Sequence, residues 1–182
     1  MEKVKYERPL INRINAGLPD KFGMSRSLEA ITHIDTIPVK DLIDKYGSPV
    51  FVLSEKTIKD KLSQAKKAFS TRYPKVQFAW SYKTNYMNAV CRIYHNEGSW
   101  AEVVSGFEYD KAIENGVAGN HIIFNGPDKS KTDLKKAIKN ASLIHIDHFD
   151  ELYVIIYQPQ NYTKNSQFAL KNIVVNNLGV RF

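Results

Sequence analysis

From Val76 onward, short runs of β-branched, aromatic and aliphatic residues alternate with longer runs whose apolar positions recur at helical spacing. No other feature of the chain limits its fold as strongly. Strands are expected at 76–82, 100–104, 121–125, 143–147 and 173–181, with helices at 86–96, 106–115, 131–140 and 149–157. Repeating β–α units imply parallel strands joined by right-handed crossovers. Each parallel strand delivers the residues at its carboxyl end to one common face, where α/β sheets and barrels place their chemistry. Lys83, Glu102 to Ser105, Asn125, Gly126, Asp147, His148 and Arg181 are therefore expected on a shared rim.

Several local signals accompany this alternation. Residues 1–35 read as an amino-terminal arm, with a turn at Gly17-Leu18-Pro19-Asp20. A short helix is expected over Pro38–Tyr46, with Leu42, Ile43 and Tyr46 on one apolar face and Gly47 as its stop. Ser48-Pro49 then leads into a brief strand, Val50–Leu53, and Ser54 can cap a helix in which Ile58, Leu62, Ala65 and Phe69 share a face. Tyr73-Pro74 breaks that helix. Ser105 and Glu108 form a capping box, Gly116 is a helix stop, and Asn125-Gly126-Pro127-Asp128 reads as a turn. Ile113, Leu134, Ala137, Ile138, Leu152 and Ile155 are expected in the core, and Tyr157–Gln167 reads as a loop.

Composition narrows the function classes. A chain of 182 residues with 43% hydrophobic and 12% aromatic content can bury a core, which argues against disorder. The net charge of +7 would suit nucleic acid, yet no RNP, zinc-finger or helix-turn-helix signature accompanies it. Its lysines, among them Lys59, Lys66, Lys135 and Lys139, scatter over expected helix faces, the usual pattern of a solvated surface. One cysteine, Cys91, cannot form an intrachain disulfide, and its place in a helix with Met87, Val90 and Tyr94 suits packing. The five histidines are dispersed, so no metal site is expected. MEKVKYERPL lacks the apolar core of a signal peptide and no apolar run reaches spanning length, so a cytoplasmic protein without membrane contact is expected.

The stretch FAWSYKTN concentrates the chemistry. Its first residues suit a strand buried on both faces, and that strand stops at Lys83 where Thr84 and Asn85 turn the chain into a helix. Position alone leaves two readings open. A strand-end lysine can simply be solvated; a partly desolvated one loses its proton more readily and its lone pair can attack a carbonyl. Glu102 is either an ordinary strand-end carboxylate or a charge, one strand away, that tunes that amine. Arg181, between Val180 and Phe182, is a surface residue or a partner for an anion.

The blocks YGSPVFVLSEKTI, FAWSYKTN, WAEVVSGFE and IIFNGPDKS occur in the same order and at similar spacing in a known family. Over roughly Pro38 to Phe182 the chain resembles the amino-terminal part of the diaminopimelate, ornithine and arginine decarboxylases, whose barrel is similar to that of alanine racemase. The resemblance implies a partial (β/α)8 barrel with parallel strands, cut after about five barrel strands, since a closed barrel takes about 250 residues. It implies an arm at 1–35 followed by a partial cofactor domain at 36–182, with the carboxyl-terminal β domain absent. The cofactor implied is pyridoxal 5'-phosphate, with Lys83 as the Schiff-base lysine and Glu102 and Arg181 beside it. The family usually has aspartate where this chain has Glu102. An amino-acid substrate and a homodimer of the full-length protein are also implied. Two alternatives stay open: racemisation on the same barrel, and a non-catalytic fragment that associates with a full-length enzyme through an exposed strand edge.

Overall fold

Alternation of side chains along each strand sets the architecture: every second residue packs against helices, and the residues between them face the other side of one parallel ladder. The computed structural model describes residues 31–73, 75–157 and 173–175. Met1–Val52 and Leu53–Phe182 form two compact units.

In the first unit, strands β1 (His33–Ile34) and β2 (Ile37–Pro38) pair antiparallel across a tight turn in which Asp35 takes φ 53°. This hairpin was not expected, because two-residue strands leave no alternation to read. Helix α1 (Val39–Tyr46) follows, and Gly47 ends it with φ 82°, as the sequence suggests. Its apolar face is a departure from expectation: Ile43 and Tyr46 are exposed and the helix buries no residue. Val50–Leu53 also differs from the sequence reading. The segment pairs with no strand among the described residues, and Phe51 is 99% exposed. Apolar content favours a strand only where a neighbour supplies backbone partners.

The second unit opens with α2 (Glu55–Ser70), capped as expected by Ser54, whose Oγ accepts from the Thr57 amide at 2.9 Å. Strands β3 (Ala79–Ser81), β4 (Trp100–Val103), β5 (Ile122–Phe124), β6 (Leu143–Ile146) and β7 (Ile173–Val175) then form one sheet in sequence order, all parallel. Helices α3 (Asn88–Asn96), α4 (Gly106–Glu114), α5 (Lys131–Lys139) and α6 (Phe149–Tyr157) alternate with them. No described helix is long and apolar enough to cross a membrane.

Ala101, Val103, Ile122, Phe124, Ile144 and Ile146 are buried in one cluster with Tyr109, Leu134, Ala137 and Ile155 from the helices. Full burial of each large side chain contributes about 1.5–3 kcal/mol. Ile113 departs from its expected core position, because Tyr109 and Ala112 take the buried face of α4. β3 departs as well. It is shorter than the expected 76–82 strand, with Ala79 exposed and Trp80 and Ser81 half-buried. Among the described residues it pairs on one side only.

The helices return to the sheet by one repeated device. α3, α4 and α5 end in the caps Glu97, Asn115 and Asn140, and the residue after each cap, Gly98, Gly116 and Ala141, takes positive φ (82°, 86° and 57°). Amides two past each cap then bond back into the helix: Ser99 to Tyr94, Val117 to Ala112, and Ser142 to Ala137. Gly126 meets a different demand. A Cβ there would lie 2.3 Å from the Val104 carbonyl oxygen, so the loop after β5 rests directly on the chain leaving β4. Gly126→Ala is expected to lower stability by about 2–4 kcal/mol, read as a reduced urea midpoint, whereas an unchanged midpoint would contradict this packing.

Candidate active site

β3 ends in a β-turn closed by the Thr84 amide donating to the Ser81 carbonyl at 3.1 Å, and Lys83 is its third residue. Bonds on both sides hold this turn. The Tyr82 amide donates to the Glu102 carbonyl at 3.0 Å, extending the β3–β4 ladder by one rung. Beyond the turn, the Asn85 carbonyl accepts from Trp80 Nε1 at 2.9 Å, and Asn85 Oδ1 accepts from the Met87 amide at 2.9 Å. Trp80 is itself stacked on Tyr94 of α3, ring centroids 3.8 Å apart. Lys83 is exposed, where its place after a fully buried strand would have covered it. Its backbone is held while its amine is open to solvent.

Register Ser81↔Glu102 puts the Glu102 side chain on the face away from the helices. There Ser81 Oγ donates to Glu102 Oε2, and Asn125 Nδ2 donates to Oε1 at 3.3 Å. One half-buried carboxylate is thus gripped from the strand ends on either side. Of the residues expected on a shared rim, Glu102 and Asn125 meet, joined by Ser81, and Lys83 stands two residues beyond Ser81 in the turn. Asn125 was expected on this rim, but Ser81 was not; a hydroxyl signal is too common to be read without the register. Arg181 lies outside the described residues.

Ser105 and Glu108 behave as helix-capping residues with one shift. Ser105 Oγ accepts from the Glu108 amide at 3.3 Å, but the Glu108 carboxylate reaches back to the Val104 amide at 2.8 Å, one residue beyond the amide that closes the usual capping box. Asp147 turns toward a network that the sequence did not reveal. Lys129, with its side chain fully buried, lies 2.9 Å from Glu151 and 3.6 Å from Asp147, and donates to the Gly126 carbonyl. Glu151 also accepts from the Lys129 and Asp147 amides, at 3.2 and 3.0 Å. These bonds tie the loop after β5 to the loop after β6. A cleft of about 330 Å³ beside them is lined in part by Asp128, His148 and Asp150.

Beneath the lysine turn, Tyr82 is fully buried and its hydroxyl lies 2.9 Å from His95 Nε2. His95 Nδ1 lies 2.9 Å from the Ser99 carbonyl, which can only accept. The proton is therefore on Nδ1, and the Tyr82 hydroxyl donates to Nε2. Burial pushes the Tyr82 hydroxyl well above the ordinary tyrosine value and holds His95 below the ordinary 6.5. Cys91, buried as expected in α3, has its thiol pushed up by the same cause.

A model of the family described as pyridoxal-dependent decarboxylase, pyridoxal binding domain, matches residues 55–174. The chain is 30% identical over 112 residues to diaminopimelate decarboxylase of Methanothermobacter thermautotrophicus, covering 62% of this chain and 26% of that one. It is 32% identical over 127 residues to diaminopimelate decarboxylase of Methanocaldococcus jannaschii, covering 67% of this chain and 29% of that one. The chain thus spans less than a third of the length of these relatives. Among solved structures it is similar to diaminopimelate decarboxylase from Helicobacter pylori complexed with L-lysine, with a TM-score of 0.58 at 24% identity over 63% of this chain and 29% of that one. It is also similar to the arginine decarboxylase of Paramecium bursaria Chlorella virus, with a TM-score of 0.58 at 19% identity over 79% of this chain and 38% of that one. At these identities the likeness gives the fold, a partial barrel with parallel strands.

Two measurements follow from the geometry. His95 is neutral in both states well above pH 6.5, where its contribution to stability is complete. As pH falls below 6.5 the unfolded chain takes up the proton first, so stability is lost until folded His95 also protonates. The urea midpoint should therefore drop on acidification, with a shallower dependence in His95→Asn; equal slopes would contradict the buried Tyr82–His95 bond. Glu151→Ala leaves Lys129 buried beside a single partly exposed carboxylate and is expected to cost about 3–5 kcal/mol in urea unfolding. A loss below about 1 kcal/mol would be that of a surface pair.

Proposed function

We propose that this chain, which belongs to the pyridoxal-dependent decarboxylase family through its pyridoxal binding domain, is the cofactor-holding part of an amino-acid decarboxylase with Lys83 as the cofactor's covalent anchor. Its cofactor is pyridoxal 5'-phosphate. The observation that carries the proposal is the lysine turn itself: an exposed amine on a backbone held on both sides, next to the end of the strand that carries a tethered carboxylate. Such a set fits a carbonyl cofactor, which needs an accessible nucleophile of defined position and acceptor groups nearby.

When bound, pyridoxal phosphate supplies the electron sink for the pair left behind as a substrate α-carboxylate departs. This chain's residues supply position and charge. The turn from Ser81 to Asn85 limits where Lys83 Nζ can travel, which lowers the orientational cost of attack. Glu102, held by Ser81 and Asn125, supplies an acceptor group on the adjacent strand. With Arg181 as a second cofactor contact, the full-length protein would act on an amino acid as a homodimer in the cytoplasm. Residues 1–35 would be an arm on a cofactor domain starting at 36.

A second reading is favoured by one observation: β3 pairs on one side only among the described residues, and Ala79 on it is exposed. An open strand edge can associate with another chain, so a non-catalytic module docking on a longer enzyme has a physical basis.

Pyridoxal phosphate followed by borohydride and peptide mapping separates the two. Lys83 Nζ adds to the aldehyde carbon, one water leaves, and hydride reduces the resulting carbon–nitrogen bond to a stable amine. The proposal expects a single dominant adduct at Lys83 that disappears in Lys83→Ala. Adducts spread evenly over the lysines of the folded chain would overturn it in favour of the docking module.

A further inference from the structure

We infer that Ser81 and Asn125 are positioning residues that fix the direction of the Glu102 carboxylate at the Lys83 rim, an inference that rests on Lys83 being the cofactor's anchor. Their local structural roles do not account for where their side chains go. The Asn125 backbone extends the β4–β5 ladder, its amide donating to the Val103 carbonyl at 2.8 Å, while its side-chain amide crosses to Glu102 Oε1 at 3.3 Å. The Ser81 backbone closes the lysine turn through its carbonyl, while its hydroxyl crosses to Glu102 Oε2. The ladder pairs β3 with β4 and β4 with β5 through backbone bonds, and neither side-chain bond is part of it.

The two donors take different oxygens of one carboxylate from opposite sides. That arrangement fixes the plane of the group as well as its position, which a single hydrogen bond would not do. It also answers a difficulty raised by the residue type. A glutamate has one more rotatable bond than an aspartate, so an untethered Glu102 would spread its charge over a larger volume beside the turn. The two bonds leave lone pairs of the carboxylate available to a ligand on the same face. The charge that Lys83 experiences, two residues beyond Ser81, then has one location instead of an average over rotamers.

The test measures borohydride trapping of pyridoxal phosphate at Lys83 against pH, by peptide mapping, in the 182-residue chain. Ser81→Ala and Asn125→Ala should each change the trapping rate at Lys83 by about 3-fold or more at fixed pH and displace the pH profile, with non-additive effects when combined. In a Glu102→Gln background the same substitutions should change the rate less than 2-fold, because the charge they orient is gone. Ser81→Thr, which keeps a hydroxyl, should restore the parent profile. Urea midpoints on every variant identify those that fold. If Ser81→Ala does not fold, Asn125→Ala with and without Glu102→Gln makes the same comparison. Selective trapping at Lys83 with profiles unchanged by either substitution would overturn the inference and leave the anchor reading intact. Absence of selective trapping in the parent chain would instead remove the anchor reading on which the inference stands.

Discussion

The rung between the Tyr82 amide and the Glu102 carbonyl, 3.0 Å long, is the contact on which the candidate site depends. It is the point where the parallel ladder ends and the lysine turn begins. On one side of it the register brings Ser81 opposite Glu102; on the other the chain reverses and presents Lys83. Shift the register by one residue and Glu102 would turn to the helix face, in the space that Ala101 and Val103 now fill, where an ionised carboxylate has no partner. The buried alternation of β4 therefore selects the register, and the register brings serine, glutamate and asparagine together.

What lies beneath the turn explains why an exposed residue can be well placed. Tyr82 is fully buried and bonded to His95, Trp80 is stacked on Tyr94, and both residues belong to the few that precede Lys83. Rigid support under a solvent-facing amine is the usual arrangement for a group that must meet a diffusing ligand at a defined angle. A second support lies one strand further on. Lys129, Glu151 and Asp147 connect the loops after β5 and β6, and Gly126 rests on the chain leaving β4. Loops at the carboxyl ends of neighbouring strands are thus linked to each other as well as to their own elements.

Much of this was legible in the sequence wherever a period existed to be read. From Val76 the strand and helix alternation survives in the structure with ends moved by a few residues, because half-buried strands and one-sided helices each impose a repeat. Ser54, Gly47 and Gly116 were legible through their chemistry, since a cap and a positive φ each demand particular residues. Val50–Leu53 and the apolar face of α1 were misread for a common reason: apolar content states a preference for burial without naming a partner. The Lys129 network and the tether on Glu102 were illegible for a different reason. Their members stand twenty or so residues apart and meet only through strand register, which a single chain of letters does not display. The family resemblance carried the cofactor, and the match over residues 55–174 agrees with it.

Amide hydrogen exchange at Tyr82 and Thr84 tests the account most directly, because both amides are buried in bonds only if the ladder runs through to the lysine turn. The account predicts protection at both comparable with that of the β4 amides, and its loss at Thr84 before Tyr82 as denaturant is added. Exchange at both positions at the rate of an open chain, with β4 still protected, would mean that Lys83 sits on a free segment and that the site described does not exist.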